Sequence, residues 1–122
     1  MQALVIDDSR AMRLILRRML TELGMDVHEA NDGLDGLAKL TDGLLPSLIL
    51  VDWHMPQMEG IDFLAAVRKP PFDFSGRVVM VTTETEATQI ARALDLGADE
   101  YVMKPFTKEA LTGKLALLGL GS

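Results

Sequence analysis

The chain contains no cysteine. That excludes a disulfide framework, thiol catalysis and any cysteine-ligated metal. It is also short of positive charge: 12 lysines and arginines stand against 18 aspartates and glutamates, a net charge of −6. Direct nucleic-acid binding needs a basic footprint, so nucleic acid is not an expected partner, local basic patches aside. No apolar run approaches the roughly 20 residues of a membrane span. The amino terminus reaches Asp7 without a basic segment and apolar core, which argues against a secretory signal. No membrane insertion is expected, and the cytoplasm is the default location. Repeats, low-complexity tracts and linkers are lacking too. With 122 residues, 48% hydrophobic and 25% charged, the expectation is one domain over 1–122. Such a domain buries about two-thirds of its unfolded surface.

What is present is a set of short apolar runs that end in polar groups. Leu4-Val5-Ile6 leads into Asp7-Asp8, and Leu48-Ile49-Leu50-Val51 into Asp52. Val78-Val79-Met80-Val81 leads into Thr82-Thr83, and Tyr101-Val102-Met103 into Lys104-Pro105. Runs of this length, rich in β-branched residues, read as buried parallel strands. In an open parallel α/β sheet, ligands gather at the carboxyl ends of strands. The pattern therefore proposes one site with three carboxylates, a hydroxyl and a lysine, suited to Mg²⁺ and a phosphoryl group.

Helical patterns alternate with these strands. Ser9 suits an N-cap, and Met12, Leu16, Met19, Leu20 and Leu23 form one apolar stripe that Gly24 ends. Met25 to Ala30, interrupted by Asp26 and His28, reads as an edge strand. Asn31-Asp32-Gly33 is a turn, and Leu34, Leu37, Ala38 and Leu40 predict a short helix ending near Gly43. A helix around Gly60 to Arg68 must break at Pro70-Pro71. The next runs from about Glu84 to Leu94, with Ala87, Ile90, Ala91 and Leu94 inward, and Gly97 closes it. The last starts at Thr107, buries Leu111, Leu115 and Leu118, and is weakened by Gly113. Strict β-then-α order predicts a (βα)5 doubly wound five-stranded parallel sheet, with helices on both faces.

Each site residue has a bland reading as well. Asp7 and Asp8 could simply favour the amino end of the following helix. Asp52 could be a turn residue before Pro56, although a carboxylate ending so apolar a strand is costly unless a metal or Lys104 compensates it. Beside a cation it could also act as a nucleophile that forms an aspartyl phosphate. Lys104 suits a phosphoryl oxygen, and Thr82 could donate to the same oxygens or cap a helix. Convergence of all four strand ends is what favours the joint reading.

In order and spacing these residues resemble the receiver domains of two-component response regulators, especially single-domain chemotaxis regulators. The stretches that carry the resemblance are Val5-Ile6-Asp7-Asp8-Ser9, Ala30-Asn31-Asp32-Gly33 and Val51-Asp52-Trp53-His54-Met55-Pro56-Gln57-Met58-Glu59-Gly60. Met80-Val81-Thr82-Thr83-Glu84 and Gly97-Ala98-Asp99-Glu100-Tyr101-Val102-Met103-Lys104-Pro105-Phe106 complete it. The resemblance implies a flavodoxin-like fold with strand order 2-1-3-4-5. It makes Asp52 the phosphoacceptor, Asp8 a direct Mg²⁺ ligand and Asp7 a holder of metal-bound water, with the His54 backbone carbonyl completing the ligands. Lys104 would pair with the phosphoryl group, next to a cis Lys104-Pro105 bond. Thr82 would move to hydrogen-bond it, and Tyr101 would swing inward behind, altering the surface of the fourth helix, fifth strand and fifth helix. The implied donor is a sensor histidine kinase or phosphotransfer protein, and the implied output is a downstream protein target or a homodimer formed on phosphorylation.

His54 stands where many relatives carry Asn or another residue, so His54 and Thr83 are the expected tuners of phosphoryl lifetime, with a solvated loop histidine as the plain alternative. Arg10, Arg13 and Arg17 share one helix face, which is either a kinase-docking stripe or simply solvated. Leu117 and Leu120 lie off the last helix's apolar stripe and either meet a partner or pack on a loop. Three other classes compete. A small Mg²⁺-dependent aspartate-nucleophile phosphatase would want an acid two residues after Asp52, where His54 stands. A flavin protein would need a phosphate-binding loop where Asp7-Asp8 would repel phosphate. A pseudo-receiver would have lost the acidic residues retained here.

Overall fold

The structure, a computed structural model, describes residues 1–83 and 87–120. Five strands alternate with five helices along them. They are β1 (Gln2–Ile6), α1 (Arg10–Glu22), β2 (Asp26–Ala30), α2 (Gly33–Thr41), β3 (Leu48–Asp52), α3 (Gly60–Val67), β4 (Arg77–Thr82), α4 (Ala87–Asp95), β5 (Glu100–Met103) and α5 (Lys108–Leu117). All neighbouring strands are parallel and lie in the order β2-β1-β3-β4-β5, as expected, with β2 at an edge.

Alternation along the strands splits the core into two layers. Leu4, Ile6, Ile49, Val51, Val78 and Met80 pack with Phe63, Leu64 and Val67 of α3, Leu37 and Leu40 of α2, and Ala93 of α4. Ala3, Val5, Leu48, Leu50, Val79, Val81 and Val102 pack with Leu16 and Leu20 of α1, and Leu111 and Leu115 of α5. Every residue of β3 is buried. Strands covered on both faces have no room for polar side chains until the chain leaves the sheet, which is why polar groups concentrate at their ends.

The helix starts follow the polar residues that precede them. Ser9 Oγ accepts the Met12 N–H at 3.2 Å, and Thr107 Oγ1 accepts that of Ala110 at 3.0 Å. Asp32, read as part of a turn, is also an N-cap: its Oδ1 accepts the Asp35 N–H at 2.8 Å. Gly97 has φ 111°, which ends the α4 segment as anticipated. Both Lys104-Pro105 and Pro70-Pro71 are cis, the second not foreseen.

Three helix faces differ from expectation. In α4, Ala87 and Ala91 are exposed and Leu94 is 44% exposed, whereas Ala93 is buried. The contact runs through Ala93 and, just past the helix, Leu96, because small alanines suit either face and packing on the sheet chooses between them. The expected start at Glu84 lies outside the described residues. In α2, Leu34 is half exposed, and Gly33 and Gly36 are buried instead. A Cβ on Gly36 would stand 2.5 Å from Ile6 Cδ1, so the helix backbone itself presses on the core. After α5, Leu120 is buried in the α1/α5 layer, and Leu117 alone of the pair faces solvent.

Gly60 opens α3 against the end of β3. A Cβ there would lie 2.3 Å from the Asp52 carbonyl oxygen, while one on Gly113 would meet nothing within 4 Å. Gly60→Ala is therefore expected to lose about 1–3 kcal/mol through overpacking, and Gly113→Ala to gain about 0.5–1 kcal/mol from helix propensity. Urea denaturation of the two variants checks both signs; a stable Gly60→Ala protein would contradict the close approach.

Candidate functional site

Because all five strands run the same way, Asp7, Asp52, Thr82 and Lys104 emerge at one end of the sheet. Asp7 directly follows β1, Asp52 and Thr82 end β3 and β4, and Lys104 directly follows β5. Backbone pairing continues past the strands: the Trp53 N–H donates to Val81 O at 2.9 Å and that of Lys104 to Thr82 O at 2.7 Å. These bonds hold the loop beginnings in sheet register.

The side chains then converge on one ammonium. Lys104 Nζ lies 3.1 Å from Asp52 Oδ1 and 3.3 Å from Asp7 Oδ2. Asp7 and Asp52 are 1% and 7% exposed, and Thr82 is fully buried. Asp8 stays exposed to solvent beside them. The second Asp7 oxygen accepts the Ser9 N–H at 2.8 Å. Carboxylate oxygens of Asp7, Asp8 and Asp52 all lie within 4.8 Å of one another. Hard oxygen donors at this spacing fit Mg²⁺, which takes one or two carboxylates and keeps other positions for water or a phosphate oxygen.

Three carboxylates facing one lysine leave a local excess of negative charge. Burial and the neighbouring Asp7 push Asp52 above the usual carboxylate range, against the lowering effect of Lys104. For Lys104, burial favours the neutral amine, but the hydrogen bonds and charges of Asp52 and Asp7 outweigh it and hold its pKa above the ordinary lysine value. The lysine is thus a fixed cation at neutral pH, and Asp52 a carboxyl whose ionised form burial disfavours.

The rim differs from this centre. His54 is exposed, with Nδ1 3.5 Å from Glu59 Oε2. Thr83 is exposed as well. Tyr101 lies apart, half-buried beneath Lys114 of α5, whose Nζ is 4.6 Å from the ring centroid. Of Arg10, Arg13 and Arg17 on α1, two are tied into the fold. Arg13 Nη1 donates to the Asp7 carbonyl at 2.6 Å, and Arg13 and Arg17 both pair with Glu29 of β2. Arg10 is exposed, and so is Arg17 apart from its ion pair. Sequence reading missed this buttress under Asp7, because Glu29 is brought to α1 only by strand pairing. Glu29 is one of three polar residues on this edge strand, beside Asp26 and His28, so its charge alone did not single it out.

With this geometry in view, the family model of the response regulator receiver domain matches residues 3–116. The chain belongs to that family. As a receiver domain it is similar to a chemotaxis protein CheY homolog of Campylobacter jejuni, 39% identical over all of this chain and 95% of the relative. It also resembles the chemotaxis protein CheY1 of Helicobacter pylori, 36% identical over 97% of this chain and 96% of that one. The solved structure of the chemotaxis response regulator CheY4 of Vibrio cholerae superposes with a TM-score of 0.87 at 32% identity, covering 96% of this receiver and 97% of that chain. The chain is therefore a CheY-like signalling domain; receiver domains bind Mg²⁺ at an acidic pocket, and this chain has an acidic group in Asp7, Asp8 and Asp52. No helix among the described residues is long and apolar enough to cross a membrane.

The raised pKa of Asp52 has a consequence for stability. The folded chain holds that proton more tightly than the unfolded chain, so stability falls as pH rises from the ordinary 3.8 through the raised value. Asp52→Asn removes this penalty. In metal-free buffer at neutral pH its thermal midpoint should exceed wild type, and the gap should shrink toward pH 4 or on adding Mg²⁺. A variant less stable than wild type at pH 7 without metal would contradict the charge imbalance.

Proposed function

We propose that this receiver is a cytoplasmic phosphoacceptor switch formed by a single domain over 1–122, and that Asp52 takes a phosphoryl group from a phosphohistidine on a sensor kinase or phosphotransfer protein. The observation that carries the reading is the meeting of Asp7 and Asp52 on one lysine beside Asp8. An Asp52 carboxylate oxygen attacks phosphorus, the O–P bond forms, and the P–N bond to the donor imidazole breaks. Mg²⁺, held by Asp7, Asp8, Asp52 and the His54 backbone carbonyl, would supply charge neutralisation for the transferred group. Lys104 offers a preorganised cation to a phosphoryl oxygen, at no cost of reorganisation during transfer.

The new group brings charge and acceptor oxygens to a buried place. Thr82, at the neighbouring strand end, turns its hydroxyl to one of them. Tyr101 then moves inward, and the α4-β5-α5 face changes shape for a downstream protein or a second copy. The names of the relatives favour chemotaxis-like signalling. The phosphatase alternative lacks its acid, because the residue two after Asp52 is His54, which leans toward Glu59 at the rim. We assign His54 and Thr83 to the lifetime of the phosphoryl group. The imidazole can obstruct the hydrolytic water or orient it as a weak base near neutral pH.

Incubation with acetyl phosphate and Mg²⁺ should add one phosphoryl group, read by intact mass. Asp52→Asn should abolish it, and Lys104→Met should slow it about 100-fold or more. Multiple turnover on phosphate esters would instead favour the phosphatase. Trp53, the sole tryptophan, adjoins Asp52, so its emission should respond to Mg²⁺ in wild type and not in Asp8→Asn. His54→Asn should change the first-order dephosphorylation rate; an equal rate removes His54 from the mechanism.

A further inference from the structure

Among the described residues strand β5 is bonded only to β4, which leaves its outer side as a sheet edge. Val102 packs in the layer shared with α5, while Tyr101 packs against the opposite layer. By strand alternation Glu100 shares the Val102 side. Lys114, near the end of α5, reaches around this edge to both faces. Its Nζ lies 3.2 Å from Glu100 Oε1 and 4.6 Å from the centroid of the Tyr101 ring. The same Glu100 oxygen accepts the Tyr101 N–H at 3.0 Å. One carboxylate oxygen therefore anchors both the ammonium over the ring and the backbone that carries it. Lys114 and Glu100 are 33% and 20% exposed, so water screens the contact only in part. A cation placed over an aromatic face in such a setting is attracted by the ring quadrupole.

We propose that Lys114, anchored by Glu100, is a positioning residue that holds the Tyr101 ring at the sheet edge and sets how often the unphosphorylated chain visits the inward state. The inference rests on the reading of Tyr101 as the aromatic that moves. For the ring to turn inward it must leave the ammonium, whereas Lys114 keeps its Glu100 partner. The latch thus opens and resets without repacking α5. It also acts apart from the acidic site, since Glu100 opens β5 and Lys104 follows its last residue. Its role is to raise the threshold of the switch, not to take part in phosphoryl transfer.

The chain has a single tyrosine, so 3-fluorotyrosine gives one ¹⁹F resonance, and the Thr82 methyl supplies a second probe on the neighbouring strand. Both are read in the free protein and with Mg²⁺ and beryllofluoride, an acyl-phosphate mimic. In metal-free Lys114→Gln, both should move along the line toward the beryllofluoride position, an increase of about 2- to 5-fold in the inward-to-outward ratio. Lys114→Arg, which keeps a cation over the ring, should stay near wild type. Unmoved Thr82 in Lys114→Gln, or an equal shift in Lys114→Arg, overturns the latch. A wild-type ¹⁹F signal that ignores beryllofluoride, in protein that acetyl phosphate labels, overturns the role of Tyr101 and this inference with it. Absence of labelling overturns the phosphoacceptor reading alone. The upfield ring-current shift of the Lys114 ε-protons, lost in Tyr101→Leu, then still decides whether the latch contact exists.

Discussion

A single ammonium, that of Lys104, makes the carboxyl end of this sheet possible. Asp7 and Asp52 are almost wholly buried where two apolar layers end, and both lie within 3.3 Å of its Nζ. Buried carboxylates are tolerated only when paired and hydrogen-bonded. The lysine arrives from 97 residues beyond Asp7 and 52 beyond Asp52. No local segment could supply it. Parallel pairing of β1, β3, β4 and β5 brings these residues together, and the backbone bonds of Trp53 and Lys104 extend that pairing into the loops.

The pairing is incomplete by design of the residue set: one cation faces three acids. Burial first and then the neighbouring acids raise Asp52, and the imbalance creates a demand for further positive charge that a hard divalent ion suits. Arg13 does not fill the demand, although it reaches the Asp7 carbonyl, because Glu29 already neutralises it. The guanidinium steadies the turn without competing for the acidic cluster. Lys114 shows the same economy at the far side of β5, where Glu100 holds the ammonium against Tyr101. In both places an acid on a strand fixes a cation from a helix, and the cation in turn meets a further residue, the Asp7 carbonyl or the Tyr101 ring.

Much of the fold was legible because parallel strands covered on both faces must be continuous apolar runs. Leu48 to Val51 could hardly be anything else, and the polar residue after each run marks where the sheet ends. Ser9 and Thr107 were legible as caps for an equally local reason. The inward face of α4 was not. Its alanines carry little preference, and contact with the sheet selected Ala93 over Ala87, Ala91 and Leu94. Leu120 looked off-stripe because helical spacing no longer applies once α5 has ended. There the chain bends back into the α1 layer.

The candidate site divides the same way. Sequence alone determined which groups stand at the strand ends, since each is adjacent in the chain to the run that positions it. It also determined their chemistry: acids, a hydroxyl and a lysine, with no thiol among them. Only the tertiary structure decided that Lys104 is shared by Asp7 and Asp52, that Glu29 satisfies Arg13 and Arg17, and that Lys114 lies over Tyr101. Those contacts join residues distant in sequence, and their distances follow from strand register and helix rotation. Local propensity carries no information about either.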